Sequence, residues 1–430
     1  MSQKRGSSEA LNAINWQKEI YINGVSGKRL DIPSEMDRLE HNASKVMSKE
    51  AFAYVAGGAG LGKTMDANRQ AFGHWKIVPR MLKDVSERDI SIELFGRKFP
   101  SPFLLAPIGV LELAHPKADL AVAGACASTG IPMIFSNQAS IAMEECSTIL
   151  GDSPCWFQLY WSKSNELVQS FVSRAEACGC HAIVVTLDTT MLGWRSKDID
   201  LAYLPFLKGM GIAQYTSDPV FKQLLKSESD NEDQSKRKIN LAAIKAFIDM
   251  NRTYPGNFWK NLRSKEPLAA IRQFIQIYSR PSLTWENLSF LREHTKLPIL
   301  LKGILHPEDA WKAVDHGADG IIVSNHGGRQ VDGAIGALDA LNNVIDVVND
   351  KIPVLMDSGI RSGADAFKAL AIGAKAVCLG RPYVYALALA GEKGVYELLR
   401  NIMADFELTM GLAGCRNVHE INKKSISRNS

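Results

Sequence analysis

The residues of this chain best suited to chemistry stand together in Ile321-Ile322-Val323-Ser324-Asn325-His326-Gly327-Gly328-Arg329-Gln330. An apolar run that reads as a buried strand ends in a histidine, and an arginine follows three residues later. An imidazole titrates near neutrality and can act as a general base. A guanidinium fork matches a carboxylate through two parallel hydrogen bonds. The glycines between them let the backbone approach a flat or bulky ligand. A lone histidine at a strand end would most often be structural; here a proton acceptor stands beside an anion clamp.

Groups of this kind need strands to position them. Short apolar runs recur at Phe103–Pro107, Pro132–Ser136, Trp156–Tyr160, Ala182–Asp188, Pro298–Lys302, Gly320–Ser324, Pro353–Asp357 and Ala376–Gly380. Helix-length segments such as Pro307–Val314 and Ala364–Ala371 lie between most of them. Eight runs with seven connections, six of them short, read as eight βα units. Their lack of alternation suits strands buried on both faces, as in a parallel barrel. An open, doubly wound sheet would give the same rhythm.

Upstream, Leu39, Ala43, Val46, Met47, Ala51, Phe52 and Val55 recur at helical spacing, which predicts one helix from Met36 to Val55, ending in Gly57-Gly58-Ala59-Gly60. The first fifteen residues read as frayed and polar. One connection is anomalous: more than a hundred residues separate Asp188 from Pro298. Within it, Lys226–Lys238 has four acidic, four basic and no apolar residues and reads as a mobile loop, whereas Asn240–Tyr278 reads as helical. An insertion leaving the C-terminal end of a barrel strand would lie over the active site, as a lid or an oligomer contact. The expected organisation is an N-terminal tail and helical cap over 1–100, a barrel over 101–416 with an insertion at 196–290, and a C-terminal tail at 417–430.

Composition narrows the classes. With 430 residues, 46% apolar and 22% charged, the chain can bury a large core. Fifty basic against forty-six acidic residues leave +4, too little at this length to suggest a nucleic-acid or membrane-surface protein. Seven dispersed cysteines complete no zinc pattern and read as reduced thiols, so no metal is expected. No secretory signal, membrane span or peroxisomal address is legible, which leaves the cytoplasm. Gly57-Gly58-Ala59-Gly60-Leu61-Gly62-Lys63-Thr64 satisfies the P-loop expression. That motif requires a preceding strand, and a helical pattern precedes it here. A P-loop nucleotide hydrolase therefore stays as the reading outside the main line.

Taken together, several segments are similar to the FMN-dependent 2-hydroxy acid oxidases and dehydrogenases. They are Tyr54-Val55-Ala56-Gly57-Gly58-Ala59-Gly60, Ala106-Pro107-Ile108-Gly109-Val110, Gly193-Trp194-Arg195, Ser324–Gln330 and Gly380-Arg381-Pro382-Tyr383. The likeness runs in order from about Glu50 to Arg416 and is nearest to the lactate 2-monooxygenase and lactate oxidase branch. It implies an α/β fold, a (β/α)8 TIM barrel with an N-terminal helical cap and a long loop insertion after strand 4. It implies FMN as cofactor, a small L-2-hydroxy acid such as L-lactate as substrate, molecular oxygen as acceptor, and a homo-oligomer, tetramer or larger.

Residue by residue, the resemblance makes His326 the base and Asp188 its partner. Tyr54 and Arg329 would hold the substrate carboxylate, and Tyr160 would meet the hydroxyl. Arg195 would add positive charge, although alone it reads as a surface pair. Lys302 would stand by the flavin N1. Ser136, Gln158, Thr186 and Ser324 would hydrogen-bond the ring, Ile108 and Gly109 would lie along it, and Asp357, Gly359, Arg361, Gly380 and Arg381 would take the phosphate. Gly109 stands where oxidase relatives usually carry alanine, so a methyl-sized space is expected beside the flavin. If a lid also retains the 2-oxo acid, peroxide decarboxylates it and a monooxygenase results. If product leaves first, the outcome is an oxidase releasing H2O2; a dehydrogenase with another acceptor is the further alternative. Asn137-Gln138 depart from the bulkier residues of many relatives and leave the substrate side chain open. With no haem domain before residue 50, a cytochrome-linked two-domain relative is not expected. The long loop is too polar to anchor the chain in a membrane.

Overall fold

Strands with unbroken apolar sequence must bury both faces, and a closed barrel does so. The computed structural model, which describes residues 12–228 and 241–428, contains such a barrel. Its strands are β1 (Phe103–Leu105), β2 (Met133–Phe135), β3 (Cys155–Leu159), β4 (Ile183–Thr186), β5 (Ile299–Ile304), β6 (Gly320–Val323), β7 (Val354–Met356) and β8 (Ala376–Leu379). All neighbours pair in parallel, and β8 returns to β1 with Val377 opposite Phe103. That pairing closes the circle and excludes the open sheet.

Inside the barrel pack Leu104, Ile134, Trp156, Val184, Leu300, Ile322, Leu355 and Cys378. The alternate residues, among them Phe103, Phe157, Leu301 and Val323, pack in the larger core shared with the helices. A hairpin of Ile92–Leu94 and Arg97–Phe99 plugs the N-terminal end of the barrel, where the Phe95 ring meets Trp156 edge-on at 5.9 Å. The C-terminal strand ends are left for a site.

The N-terminal region differs from expectation in two places. Helix α1 (Ala13–Val25) begins inside the stretch read as frayed, because the Asn12 side chain accepts the Ile14 and Asn15 amides; residues 1–11 lie outside the described residues. The single helix expected over Met36–Val55 is two, α2 (Met36–Val46) and α3 (Lys49–Ala56). Ser48 takes extended backbone and its hydroxyl accepts the Ala51 amide, which starts a new helix. The periodicity runs through the break because Leu39, Ala43, Met47, Ala51 and Val55 all reach one core. Helix α4 (Lys63–Gly73) follows the glycine-rich turn.

Between β4 and β5 the chain forms helices at Pro219–Glu228, Leu241–Thr253, Phe258–Arg263 and Glu266–Ile277. Lys226–Glu228 is thus helical rather than loop, and residues 229–238 of that expected loop lie outside the described residues. Tyr215 anchors the excursion, edge-on to Phe274 at 4.8 Å and to Phe171 of the barrel layer at 5.0 Å. Ile426–Arg428, in the stretch set aside as a tail, pairs antiparallel with Trp75–Ile77. Among the described residues no helix is long and apolar enough to cross a membrane.

One buried carboxylate ties the helix after β1, Ala118–Thr129, to the loop after β2. Asp119, 1% exposed, accepts the Ser140 and Ile141 amides that follow β2. Burial pushes its carboxyl up to about 7, against the restraint of those bonds, from an ordinary value of 3.8. The folded chain therefore binds this proton more tightly than the unfolded one. Asp119 contributes most below pH 3.8, and that contribution is lost as pH rises toward 7. At 1.36 kcal/mol per unit the full effect is up to about 4 kcal/mol. Asp119→Asn is expected to flatten the decline of stability with pH in this interval, read by urea melts at pH 4 and 7.5. Equal slopes for both proteins would show that Asp119 does not titrate there.

Candidate active site

Loops leaving the C-terminal strand ends enclose one cavity. Of the residues singled out by sequence, Tyr54, Ile108, Gly109, Tyr160, Arg195, Lys302, His326, Arg329, Asp357, Gly359, Arg361, Gly380 and Arg381 line it. Asp188, Ser136, Gln158, Thr186 and Ser324 stand behind that lining, at the ends of β4, β2, β3, β4 and β6.

His326 lies at the centre. Its Nδ1 is 2.8 Å from Asp188 Oδ1, and the Thr189 hydroxyl donates to the same oxygen at 2.9 Å. Burial pushes the Asp188 carboxyl up, but the His326 ring and the Lys302 ammonium outweigh it and hold it at about 2. Asp188 is therefore ionised and fixes the proton on Nδ1, leaving Nε2 as the basic nitrogen. Burial lowers the His326 pKa, Lys302 and Arg195 lower it further, and Asp188 opposes them. The ring is neutral at pH 7, the state a base needs. His326 has φ +58° and is followed by Gly327 at +65° and Gly328 at +76°. A non-glycine residue there is strained, and the loop holds it by outside bonds. The His326 amide donates to Ser324 Oγ at 3.0 Å, and Asn325 exchanges two amide bonds with Asn68 at 2.7 and 2.8 Å.

Lys302 is 3% exposed and does not snorkel out. Its Nζ donates to Ser324 Oγ at 2.9 Å and pairs with Asp357 Oδ2 at 3.2 Å. Burial works against its charge, but Asp357 and Asp188 overcome that and raise its pKa. A permanent cation thus faces the cavity. Burial pushes the Tyr160 hydroxyl up to about 12, with Asp188 adding to it, so Tyr160 remains a hydrogen-bond donor.

Four guanidinium groups line this cavity. Arg195, which alone reads as a surface residue, is 7% exposed. Arg329 donates to Tyr54 O and Gly57 O, and Arg381 to Val55 O, Gly57 O and Gly327 O. The last carbonyls of α3 thus gather both, where a helix dipole favours cations. Arg329 is brought down to about 9 and Arg361 to about 10, chiefly by burial and then by neighbouring arginines. So much uncompensated positive charge is the signature of a site for anions. Deeper in, Gln158 Nε2 and Thr186 Oγ1 are buried without a hydrogen-bond partner among the described residues. Orphaned buried polar atoms behind a cavity lining are expected where a ligand or a water completes them.

A family model described as FMN-dependent dehydrogenase matches residues 43–428. The chain belongs to that family. It is 40% identical over 419 residues, 97% of the chain and 96% of the relative, to an FMN-dependent alpha-hydroxy acid dehydrogenase, qulF, of Penicillium citrinum. It is 38% identical to an L-lactate oxidase of Lysinibacillus sphaericus, over 91% of the chain and 92% of the relative. A crystal structure of mandelate oxidase with (S)-4-hydroxymandelic acid superposes with a TM-score of 0.75 at 34% identity, covering 92% of this chain and 99% of that one. This family member is an FMN-dependent 2-hydroxy acid oxidoreductase.

Its residues fit FMN. The orphaned Gln158 and Thr186 atoms suit the polar edge of a flavin ring, the buried Lys302 suits an anion at N1, and Arg361 and Arg381 beside Gly359 and Gly380 suit a phosphate. When bound, FMN accepts the two electrons of the oxidation.

Several site residues escaped the sequence reading. Gln330 latches two loops: its Nε2 donates to Asp188 O at 2.7 Å and Met191 O at 2.9 Å, while its Oε1 accepts from Arg195 at 3.1 Å. Its place at the end of the histidine signature was the available signal. Thr189, Leu192, Phe206 and Tyr278 also line the cavity, as does Gln138, which the sequence places near the substrate side chain. The Gly57–Thr64 turn follows helix α3, so the strand that a P-loop requires is absent from that position.

Proposed function

We propose that the chain oxidises a small L-2-hydroxy acid, foremost L-lactate, at Cα with O2 as acceptor, and retains the 2-oxo acid long enough to act as a lactate 2-monooxygenase. In this reading Arg329, Arg195 and Tyr54 hold the carboxylate, Tyr160 donates to the hydroxyl, and His326 takes the proton with Asp188 stabilising the imidazolium. The observation that carries retention is the cover: Leu192, Arg195, Phe206 and Tyr278, all from the excursion between β4 and β5, wall the cavity. Such closure slows product escape and excludes water.

The space expected beside Gly109 is not part of the support. A Cβ there would meet Gln138 Cβ and Gln138 O at 2.8 Å, so the glycine lets the β2 loop press against this wall rather than leaving a void. Gly109→Ala is therefore expected to displace Gln138 and to perturb both substrate affinity and product retention.

The test is the product balance of the purified yellow protein. Lactate and O2 should give acetate, CO2 and water in equal amounts, with catalase without effect. Pyruvate with stoichiometric H2O2 and no acetate would make it an oxidase, the reading favoured by the likeness to an L-lactate oxidase over 91% of the chain. Failure of L-lactate to bleach the flavin under anaerobic conditions would move the assignment to another 2-hydroxy acid.

A further inference from the structure

The glycine-rich turn that resembles a P-loop does hold an anion, and the anion belongs to the chain. The Leu61, Lys63 and Thr64 amides donate to the Asp332 carboxylate at 2.7, 2.6 and 3.4 Å. Helix α4 has Gly62 as its N-cap and so has no side chain of its own to satisfy its first N–H groups. A carboxylate supplied from outside does this and is favoured by the helix dipole. The fit is close: a Cβ on Gly60 would lie 2.4 Å from Asp332 Oδ2.

Asp332 belongs to the loop that carries His326 and Arg329. Three residues before it, Arg329 grips the other end of the same segment through Tyr54 O and Gly57 O, with its guanidinium 4.9 Å from the Tyr54 ring centre. Between these grips, the Ala59 amide donates to Gly328 O at 2.8 Å. Beyond them, Thr64 Oγ1 donates to Val331 O at 2.7 Å and accepts the Ala334 amide at 2.8 Å. The catalytic loop thus clasps Tyr54–Thr64 at both ends.

We propose that Asp332 is a positioning residue: by filling the amide cradle of the Gly57–Thr64 turn it sets the relative placement of Tyr54 and Arg329, and hence the site for the substrate carboxylate. This rests on the reading of Tyr54 and Arg329 as the carboxylate clamp. The His326 ring is fixed on Asp188 and its amide on Ser324, and the Asn325–Asn68 bonds join the same loop to α4 at a second point that does not involve Asp332. Loss of Asp332 therefore disturbs carboxylate binding more than proton removal.

The test uses the FMN-loaded protein, with oxalate as a carboxylate probe read by the flavin absorption change, and with the limiting rate of anaerobic flavin reduction. For Asp332→Ala the oxalate Kd and the substrate KM are expected to rise about tenfold or more, with the limiting rate within about threefold of wild type, since one charge-assisted hydrogen bond to a carboxylate is worth roughly tenfold or more in affinity. Asp332→Asn keeps one carbonyl oxygen, enough for the Lys63 and Thr64 amides but not also for Leu61, and is expected to recover part of the affinity. Unchanged oxalate affinity in the alanine variant would overturn the proposal. So would a limiting rate that falls as far as the affinity, or equal flavin loss and lowered melting in both variants. If L-lactate fails as a substrate, the oxalate arm still reads Asp332, so the two failures are distinguishable.

Discussion

His326→Gln should leave a yellow protein whose flavin is reduced by substrate roughly 10²–10⁴-fold more slowly. Glutamine keeps the approximate length and a hydrogen-bonding tip but cannot take a proton. Because Asp188 is held ionised at about 2 and binds Nδ1, the wild-type ring presents an unprotonated Nε2 at neutral pH. The substrate proton then ends on a nitrogen whose charge Asp188 compensates at 2.8 Å. The pH profile carries the same information. Burial, Lys302 and Arg195 place the His326 pKa below its ordinary 6.5, so the acid limb of kcat/KM should fall below that pH. Asp188→Asn removes the influence that raises this pKa, so it should move the limb to still lower pH while slowing reduction. Stopped-flow reduction of the glutamine variant within tenfold of wild type would remove His326 from the role of base.

The barrel was legible because burial on both faces imposes unbroken apolar runs, and eight of them were present, six of their seven connections short. Closure was not, since it depends on β8 meeting β1 across the whole chain. The break at Ser48 hid because two helices on one core share a single periodicity. At the site, residues at strand ends could be found because strand ends converge in this architecture. Arg195 and Gln330 could not be understood that way, for each takes its meaning from the other, 135 positions apart. Gly109 shows the opposite error: a missing methyl says nothing of space until its neighbour is known, and Gln138 fills that direction. The P-loop expression was sound as chemistry and wrong as function. Its amides did converge on an anion, supplied by Asp332 from 271 residues away in sequence.

Lys302→Met tests the electrostatics of the flavin side, and its expected effect is the second large one. A unit charge in contact with a developing anion is worth about 4 kcal/mol at an effective dielectric of ~20, which for a two-electron couple is roughly 90 mV. The flavin midpoint potential should become more negative by about that much, with slower reduction by substrate. Lys302→Arg retains the charge and should keep most of the wild-type potential. A second readout separates loss of charge from a mere packing defect. Lys302 lowers the His326 pKa and helps hold Asp188 down, while Asp357 is its nearest carboxylate at 3.2 Å. Removing it should therefore raise the His326 pKa and shift the acid limb of kcat/KM upward, opposite to Asp188→Asn. Methionine is close in length to lysine and apolar, so a packing change alone would move neither potential nor pH limb. An unchanged potential together with an unshifted limb would place the Lys302 charge outside the electrostatics of both flavin and base, leaving the Ser324 and Asp357 contacts as purely structural.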